Sequence, residues 1–430
     1  MKAVQFFRKK VTAEDIFHAV DSLLSYKKII FICIIVFLAL FFLTQTLPSL
    51  LTWDTDSPSF YIAAKGMRQG LAVYDQSVFQ SLAESELGKS VSVYPYIYLP
   101  FVAQCFIPLS LLGNSVYFTL LYILNLVFTF GCLFLVYLLL KETGERANRF
   151  LLLFLFLLLA YNLPLRATIN HGQVNILVFF LILLAFYLLK NDHDYAGSAV
   201  LSLAIVFKIY PVLFLFYFLI KKKFRPLSYT LLNLLGLFTI SSILFGIRHW
   251  MAYIRMNLSS FNGGSLSAFL KGFSSHQDNN SLKAFLSQLF PIADHALVIV
   301  ITAAALVLIA FLFTFPLRKR IMAEDFPFIG SVIFVLSLML LPISWSHHYV
   351  IMIFPMAYLF REGVSQKKPI LLFLSLLISF LVFSYPRYGG FPFNQIRFMG
   401  IGLYLIILLS ISLLSIKNWM PHHKKGVENG

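Results

Sequence analysis

The chain has 430 residues, 59% of them hydrophobic and only 12% charged, with a formal net charge of +16. A soluble fold cannot hide that much apolar surface, and a disordered chain would not carry it. The positive balance reads as basic loops on one side of a membrane rather than as a nucleic-acid surface.

Apolar runs of about 17–25 residues recur from Ile29 to Ile416, which predicts an all-α polytopic membrane protein. A β-barrel would show short alternating segments instead. Cys33, Cys105 and Cys132 all lie in apolar runs. They read as packing residues, without a disulfide framework or metal-ligand spacing.

Residues 1–28 form a basic arm, with Arg8, Lys9, Lys10, Lys27 and Lys28. The first crossing, Ile29–Leu47, is too long for a signal core and lacks a small-residue cleavage motif. Residues 48–96 follow as a first outer loop. It begins with Trp53-Asp54-Thr55-Asp56. Two carboxylates beside an interface can supply a general base, or they can cap the helix starting near Pro58. Phe60, Ala64, Met67 and Leu71 repeat at helical spacing, and Val78, Phe79, Leu82 and Leu87 nearly do. That predicts two interfacial helices. Tyr94-Pro95-Tyr96-Ile97-Tyr98 reads as an aromatic belt at the interface, or as the wall of a sugar pocket. Ile97–Leu112 is apolar but short, with Pro100 and Pro108. A re-entrant course keeps Lys141, Arg146 and Arg149 on the basic side and is the preferred threading.

Strong spans then cover Val116–Leu140, Phe150–Leu165 and Val174–Leu189. Between the last two lies a polar turn from Arg166 through His171, Gly172, Gln173 and Asn175. Gly172 permits a turn or a close approach, Asn170 and Asn175 are plausible caps, and Arg166 suits bidentate phosphate contact. Ala196–Ile220 carries Lys208-Ile209-Tyr210-Pro211 at its middle. Pro211 disfavours an unbroken helix, so two short helices are expected. An ammonium at such a break can bind a phosphate as a point charge, or it can snorkel to the interface.

Lys221–Lys223 and Arg225 precede the span Leu227–Gly246. Residues 247–294 form a second large outer loop. It holds Gly263-Gly264 and a polar run over Ser274–Ser281, and Asn279, Asn280 or Ser281 could cap a helix through Leu289. Ala296–Phe315 and Phe326–Ile343 are further spans. Ser344-Trp345-Ser346-His347-His348-Tyr349 sits between the latter and Val350–Phe360. Imidazoles there can hold phosphate, orient a base or bind a metal, or they can hydrogen-bond between helices. Adjacent histidines do not share a helix face, which argues against a two-histidine zinc site. Ile370–Ser384 and Phe398–Ile416 complete the transmembrane domain, residues 29–416, and 417–430 form a tail. The positive-inside rule gives about twelve crossings with both termini cytoplasmic. It gathers Asp54, Asp56, Arg166, His171, Lys208, His347 and His348 on one outer face. A charge at membrane depth is costly unless paired or hydrated, so each is a candidate functional residue.

With these residues in hand, the chain resembles the GT-C superfamily of membrane glycosyltransferases, and within it glycosyltransferase family 87, whose members depend on polyprenyl-phosphate-mannose. The resemblance runs from about Asp54 to Tyr349. It rests on Asp56 with Phe60-Tyr61, Ala63-Ala64, Gly70 and Tyr74. It continues with Tyr94-Pro95 and Leu99-Pro100 to Pro108, then Gly172-Gln173-Val174-Asn175. Lys208 with Pro211, and Trp345 with His347 and His348, complete it. Pro58 and the second carboxylate, Asp54, depart from the family pattern.

The resemblance implies a GT-C fold and a first-loop aspartate as catalytic base. Asp56 is favoured, with Asp54 as alternate or orienting partner. Lys208, His348, His347 and Arg166 are then expected at the donor phosphate. Tyr61, Tyr94, Tyr96, His171, Gln173, Asn175 and Trp345 are expected in the substrate pocket. The expected reaction moves mannose or a related sugar from a polyprenyl-phosphate donor to a hydroxyl of a glycolipid, glycan or protein, with inversion. A bacterial inner membrane is the implied location. No nucleotide loop is found and no cofactor is expected, although Asp54 with Asp56 leaves a divalent cation open. A lipid-linked glycan ligase or polymerase, and a lipid-phosphate flippase, are the alternatives. A flippase would show two halves with paired broken helices, and the chain shows one Lys-x-x-Pro break.

Overall fold

The computed structural model describes residues 57–88, 93–142, 144–160, 162–261, 281–282, 326–341 and 344–384. Asp54 and Asp56 lie outside them, as do the arm, the tail, most of the second outer loop and the expected spans Ile29–Leu47, Ala296–Phe315 and Phe398–Ile416. Among the described residues every regular element is helical. The helices are α1 (Ser57–Arg68), α2 (Gln76–Leu87), α3 (Pro100–Ser110), α4 (Asn114–Leu140), α5 (Glu145–Ala160), α6 (Leu163–Asn170), α7 (Asn175–Lys190), α8 (Asp194–Phe207), α9 (Phe214–Ile220), α10 (Phe224–Phe245), α11 (Arg248–Phe261), α12 (Phe326–Leu340), α13 (Ile353–Ser365) and α14 (Pro369–Ser384). Two 3-10 segments, Tyr210–Leu213 and Ser346–Met352, interrupt them.

Helices α4 and α10 are long and apolar enough to cross a membrane; a third span exists if α5 and α6 are taken together across their 52° bend. Both α4 and α10 expose large apolar side chains, among them Phe130, Phe134, Leu232 and Ile243. Such surfaces are stable against lipid and not against water. Helix α3 has 11 residues. It rises about 16 Å, roughly half of a bilayer core, so it is too short to cross.

The bundle has two ends. Helix α7 starts at the Gly172 turn and finishes at Lys190, and α8 returns from Asp194 to Lys208. Helix α12 runs back from Phe326 to the Ser344–His348 segment, and α13 leads away again to Arg361. Lys208, Gly172 and His348 thus share one end, and Lys141, Lys190, Lys223 and Arg361 share the other. The expected break at Lys208 is present. Lys208 is extended (φ −147°, ψ 139°) between α8 and the 3-10 turn that contains Pro211.

Small residues let these helices approach. A Cβ on Gly197 would lie 2.8 Å from the Ala185 carbonyl, so α8 packs backbone to backbone on α7. Ser198 donates to the Pro226 carbonyl (3.0 Å) and Ser202 to that of Thr230 (3.1 Å), which ties α8 to α10. Rings fill the wider gaps: Phe186 stacks on Phe326 at 3.8 Å, and Phe154 on Phe360 at 4.1 Å.

Residues 57–87 form the two helices that the periodicity predicts, but they differ. Only Phe79 and Ala83 of α2 are buried, and Asp75 caps its N-terminus by accepting from Ser77 N at 2.9 Å. In α1 every residue from Ser57 to Met67 except Lys65 is buried. Helix α1 is therefore enclosed by its neighbours, where an interfacial helix would leave one face wet. The reason is α3, which packs along it and brings Phe106 within 5.2 Å of Phe60, ring to ring.

Candidate active site

The site end is organised by the turn at Gly172. Gly172 has φ +59°, a conformation that favours glycine. A Cβ there would lie 2.4 Å from Ser57 Cβ, so nothing larger fits between the turn and the start of α1. Ser57 directly follows Asp56 in sequence. The Gly172 turn thus packs against the chain that leaves the two expected carboxylates.

The same turn holds the histidine segment. Thr168 Oγ1 lies 2.8 Å from the His347 carbonyl, and Asn175 Nδ2 donates to that carbonyl at 3.4 Å. Asn175 therefore fixes backbone at the site. His347 is 4% exposed. Its ring centroid lies 5.6 Å from that of His171, 5.8 Å from that of Trp345 and 4.5 Å from that of His348.

His348 is the centre of the arrangement. Trp345 N donates to its Nδ1 at 3.2 Å, and Lys208 Nζ lies 3.3 Å from its Nε2. Burial holds both imidazoles well below the ordinary histidine range, and the Lys208 charge lowers them further. A neutral imidazole has one donor and one acceptor. With Nδ1 accepting from Trp345, the proton sits on Nε2. An ammonium cannot accept it. Two donors therefore converge on one point, an arrangement that receives an anionic oxygen.

Tyr98 belongs to the aromatic segment read as a belt or as the wall of a sugar pocket. Its ring lies under Lys208 Nζ at 5.9 Å, and its hydroxyl reaches Gln173 Oε1 at 3.1 Å. Its backbone carbonyl accepts from the Tyr74 hydroxyl at 2.7 Å. The sequence signal was the alternation Tyr94, Tyr96, Tyr98, of which Tyr98 is the member that meets the lysine. Tyr96 is buried, and its hydroxyl donates to the Leu99 carbonyl at 2.9 Å. Tyr61 is buried among Tyr117 and Phe118. Both serve packing. Tyr94 and Arg166 are half-buried.

Helix α11 packs over the connection between α1 and α2. Tyr253 meets Tyr74 at 5.7 Å, and Arg248 lies beside Gly70. Among the described residues no three His, Cys, Asp or Glu side chains group as metal ligands.

The site thus combines a membrane-type helical bundle, a lysine at a helix break, a neutral imidazole beside it and a tyrosine floor. No curated protein and no solved structure matches the chain. One family model does, over residues 96–342, more than half of the chain. The match includes the Gly172 turn, Tyr98 and Lys208, and the protein belongs to glycosyltransferase family 87.

Proposed function

We propose that this membrane glycosyltransferase moves a sugar, mannose or a close relative, from a polyprenyl-phosphate donor to an acceptor hydroxyl, with inversion, at the end of the bundle that carries Lys208. The observation that carries the reading is the convergence of Lys208 Nζ and His348 Nε2 within 3.3 Å. That point accepts a non-bridging oxygen of the donor phosphate.

The acceptor hydroxyl attacks the anomeric carbon from the side opposite the phosphate, and Asp56 takes its proton, with Asp54 as alternate. The bond between the anomeric carbon and the phosphate oxygen breaks, and polyprenyl phosphate departs with one more negative charge. The second pKa of a phosphate monoester is near 6, so no general acid is needed. Donors aimed at the growing charge lower the barrier, most of all where water is excluded. His348 contributes as a neutral donor, held in place by Trp345, and Lys208 as a point charge. Tyr98 and Gln173 form the floor beside them, where an aromatic face suits a sugar ring. The Gly172 turn supports the base assignment, because it packs on Ser57 next to Asp56. The positive-inside rule puts this end on the outer face of the membrane, with a bacterial inner membrane as the expected location.

The test is transfer by the purified protein in lipid vesicles, with a panel of polyprenyl-phosphate sugars and a lipid extract as acceptor. Turnover of one donor, lost in Asp56→Asn with donor binding retained, is the expected result. Unchanged turnover in that variant would move the base to Asp54 or elsewhere. Lipid flipping without turnover of any donor would replace the reading with a carrier.

A further inference from the structure

At the end of the bundle away from Lys208, a cavity of about 390 Å³ opens where α4, α7, α12 and α13 finish or begin. That volume is in the range of small-molecule sites. Its rim carries Lys141, Lys190, Lys223 and Arg361, with Asp192 and Glu362. Arg361 and Glu362 are already matched. The Arg361 guanidinium donates to the Glu362 carboxylate, lies 3.6 Å from Glu142 and sits over the Tyr358 ring at 5.1 Å. Three lysines then face Asp192. All three are exposed, and among the described residues none of them makes an ion pair.

The three lysines come from three separate connections, after α4, after α7 and before α10, so their meeting is a product of the fold and not of one basic run. Two of these connections are fixed. Helix α7 closes with His193 N donating to the Leu188 carbonyl at 3.0 Å, and α9 with Lys223 N donating to that of Phe218 at 2.8 Å. Asp192 (φ 62°) and Lys222 (φ 55°) take the left-handed position that this helix ending requires, without the glycine that favours it. The floor is aromatic and packed. Tyr217 meets the edge of Phe186 at 5.1 Å, and Phe186 stacks on Phe326. Both Phe186 and Tyr217 are buried.

We infer that this cavity binds a phosphate ester: Lys141, Lys190 and Lys223 hold the phosphate, and the aromatic floor takes the apolar part of the ligand. Lysines act on phosphate as point charges. The inference does not depend on the transfer reaction proposed above, which lies at the other end of the molecule. Two sources supply such an ester, the headgroup of an anionic lipid and a soluble phosphate compound.

The experiment uses the full chain in detergent, with native mass spectrometry of bound phosphatidylglycerol against phosphatidylcholine. The site predicts one phosphatidylglycerol held more tightly than the rest. Lys141→Gln with Lys190→Gln and Lys223→Gln lowers its affinity by roughly ten- to hundred-fold. Arg149→Gln with Lys222→Gln and Arg225→Gln removes the same charge from the same end without touching the cavity, and lowers it by less than about three-fold. Glycerol 3-phosphate competing at micromolar concentration assigns the site to soluble esters, and its failure to compete assigns it to the lipid. Each single lysine variant is expected to show a several-fold loss, which keeps the test decisive if the triple variant does not fold. Equal losses in the cavity and control triples would reduce the effect to general surface charge and overturn the inference, as would no loss in either.

Discussion

Two charged residues at opposite ends of this bundle, Arg361 and Lys208, are handled in opposite ways. At the pocket end the half-buried arginine has its acids within reach: Arg361 meets Glu362 and Glu142, and Glu362 also accepts from Gln366 at 2.6 Å. At the other end Lys208 faces an imidazole that donates toward it. Ion pairs matched in this way hold a structure together and leave little to offer a ligand. Lys208 and the His348 imidazole are instead two donors that meet at one point, and donors aimed together stabilise an anionic oxygen placed between them. The contrast therefore predicts that substitutions in the Arg361–Glu362 pair cost stability, and that substitution of Lys208 costs activity.

The largest expected effect is at Lys208. Lys208→Ala removes the point charge from the phosphate site, and turnover should fall by about 10²–10³, the range measured for losing one such donor elsewhere. The thermal midpoint should stay close to wild type, because the side chain is half-buried at a helix break and its loss opens no core cavity. A large fall in the midpoint with turnover retained would break the contrast.

Glu362→Gln makes the complementary claim. It leaves Arg361 with the Glu142 carboxylate at 3.6 Å and the Leu140 carbonyl at 3.4 Å. Removing one partner of a buried pair costs about 3–5 kcal/mol, and partial exposure here reduces that to about 2. Denaturation in detergent should show the loss, while the activity per folded molecule stays within about two-fold. Activity lost in proportion to stability would mean that the two ends are coupled.

The histidines sharpen the contrast through pH. Burial holds His347 and His348 below the ordinary value near 6.5, so the unfolded chain binds protons first as pH falls. Their contribution to stability is intact above about pH 6.5 and declines below it, by up to about 1.4 kcal/mol per unit for each histidine. The thermal midpoint should drop between pH 7 and 5, and His347→Asn with His348→Gln should flatten that drop. An unchanged slope in the double variant would show that neither imidazole is neutral in the folded protein.

Much of this arrangement was legible in the sequence, for reasons that differ by residue. The helix break at Lys208 follows from Pro211, whose ring and missing N–H act locally. The Gly172 turn follows from glycine in the same local way. Helices α1 and α2 follow from periodicity, but the enclosure of α1 does not. Enclosure depends on α3 arriving from 40 residues away, and no local pattern encodes that contact. The different settings of the tyrosines are hidden for the same reason. Tyr61, Tyr96 and Tyr98 are chemically identical, and only tertiary packing decides that two are core residues while the third meets Lys208. The cavity among Lys141, Lys190 and Lys223 was visible only as three basic loops, because their convergence is a property of the bundle.

The smallest expected effect tests that difference between Tyr96 and Tyr98. Tyr98→Phe keeps the ring beneath Lys208 and removes only the hydroxyl that meets Gln173 at 3.1 Å. A hydrogen bond of this kind is worth about 1 kcal/mol net, so the expected change is roughly five-fold. It should fall on KM, because Gln173 and the ring form the floor on which the donor sugar rests, while Lys208 and His348 still meet the phosphate. Tyr98→Leu removes the ring as well and should raise KM further. Tyr96→Phe is the matched control. Its hydroxyl donates to the Leu99 carbonyl inside the core, so its loss should lower the thermal midpoint and leave KM unchanged. If Tyr96→Phe moved KM and Tyr98→Phe did not, the sugar would rest against the other tyrosine, and the donor would have to enter from the α1 side of the Gly172 turn.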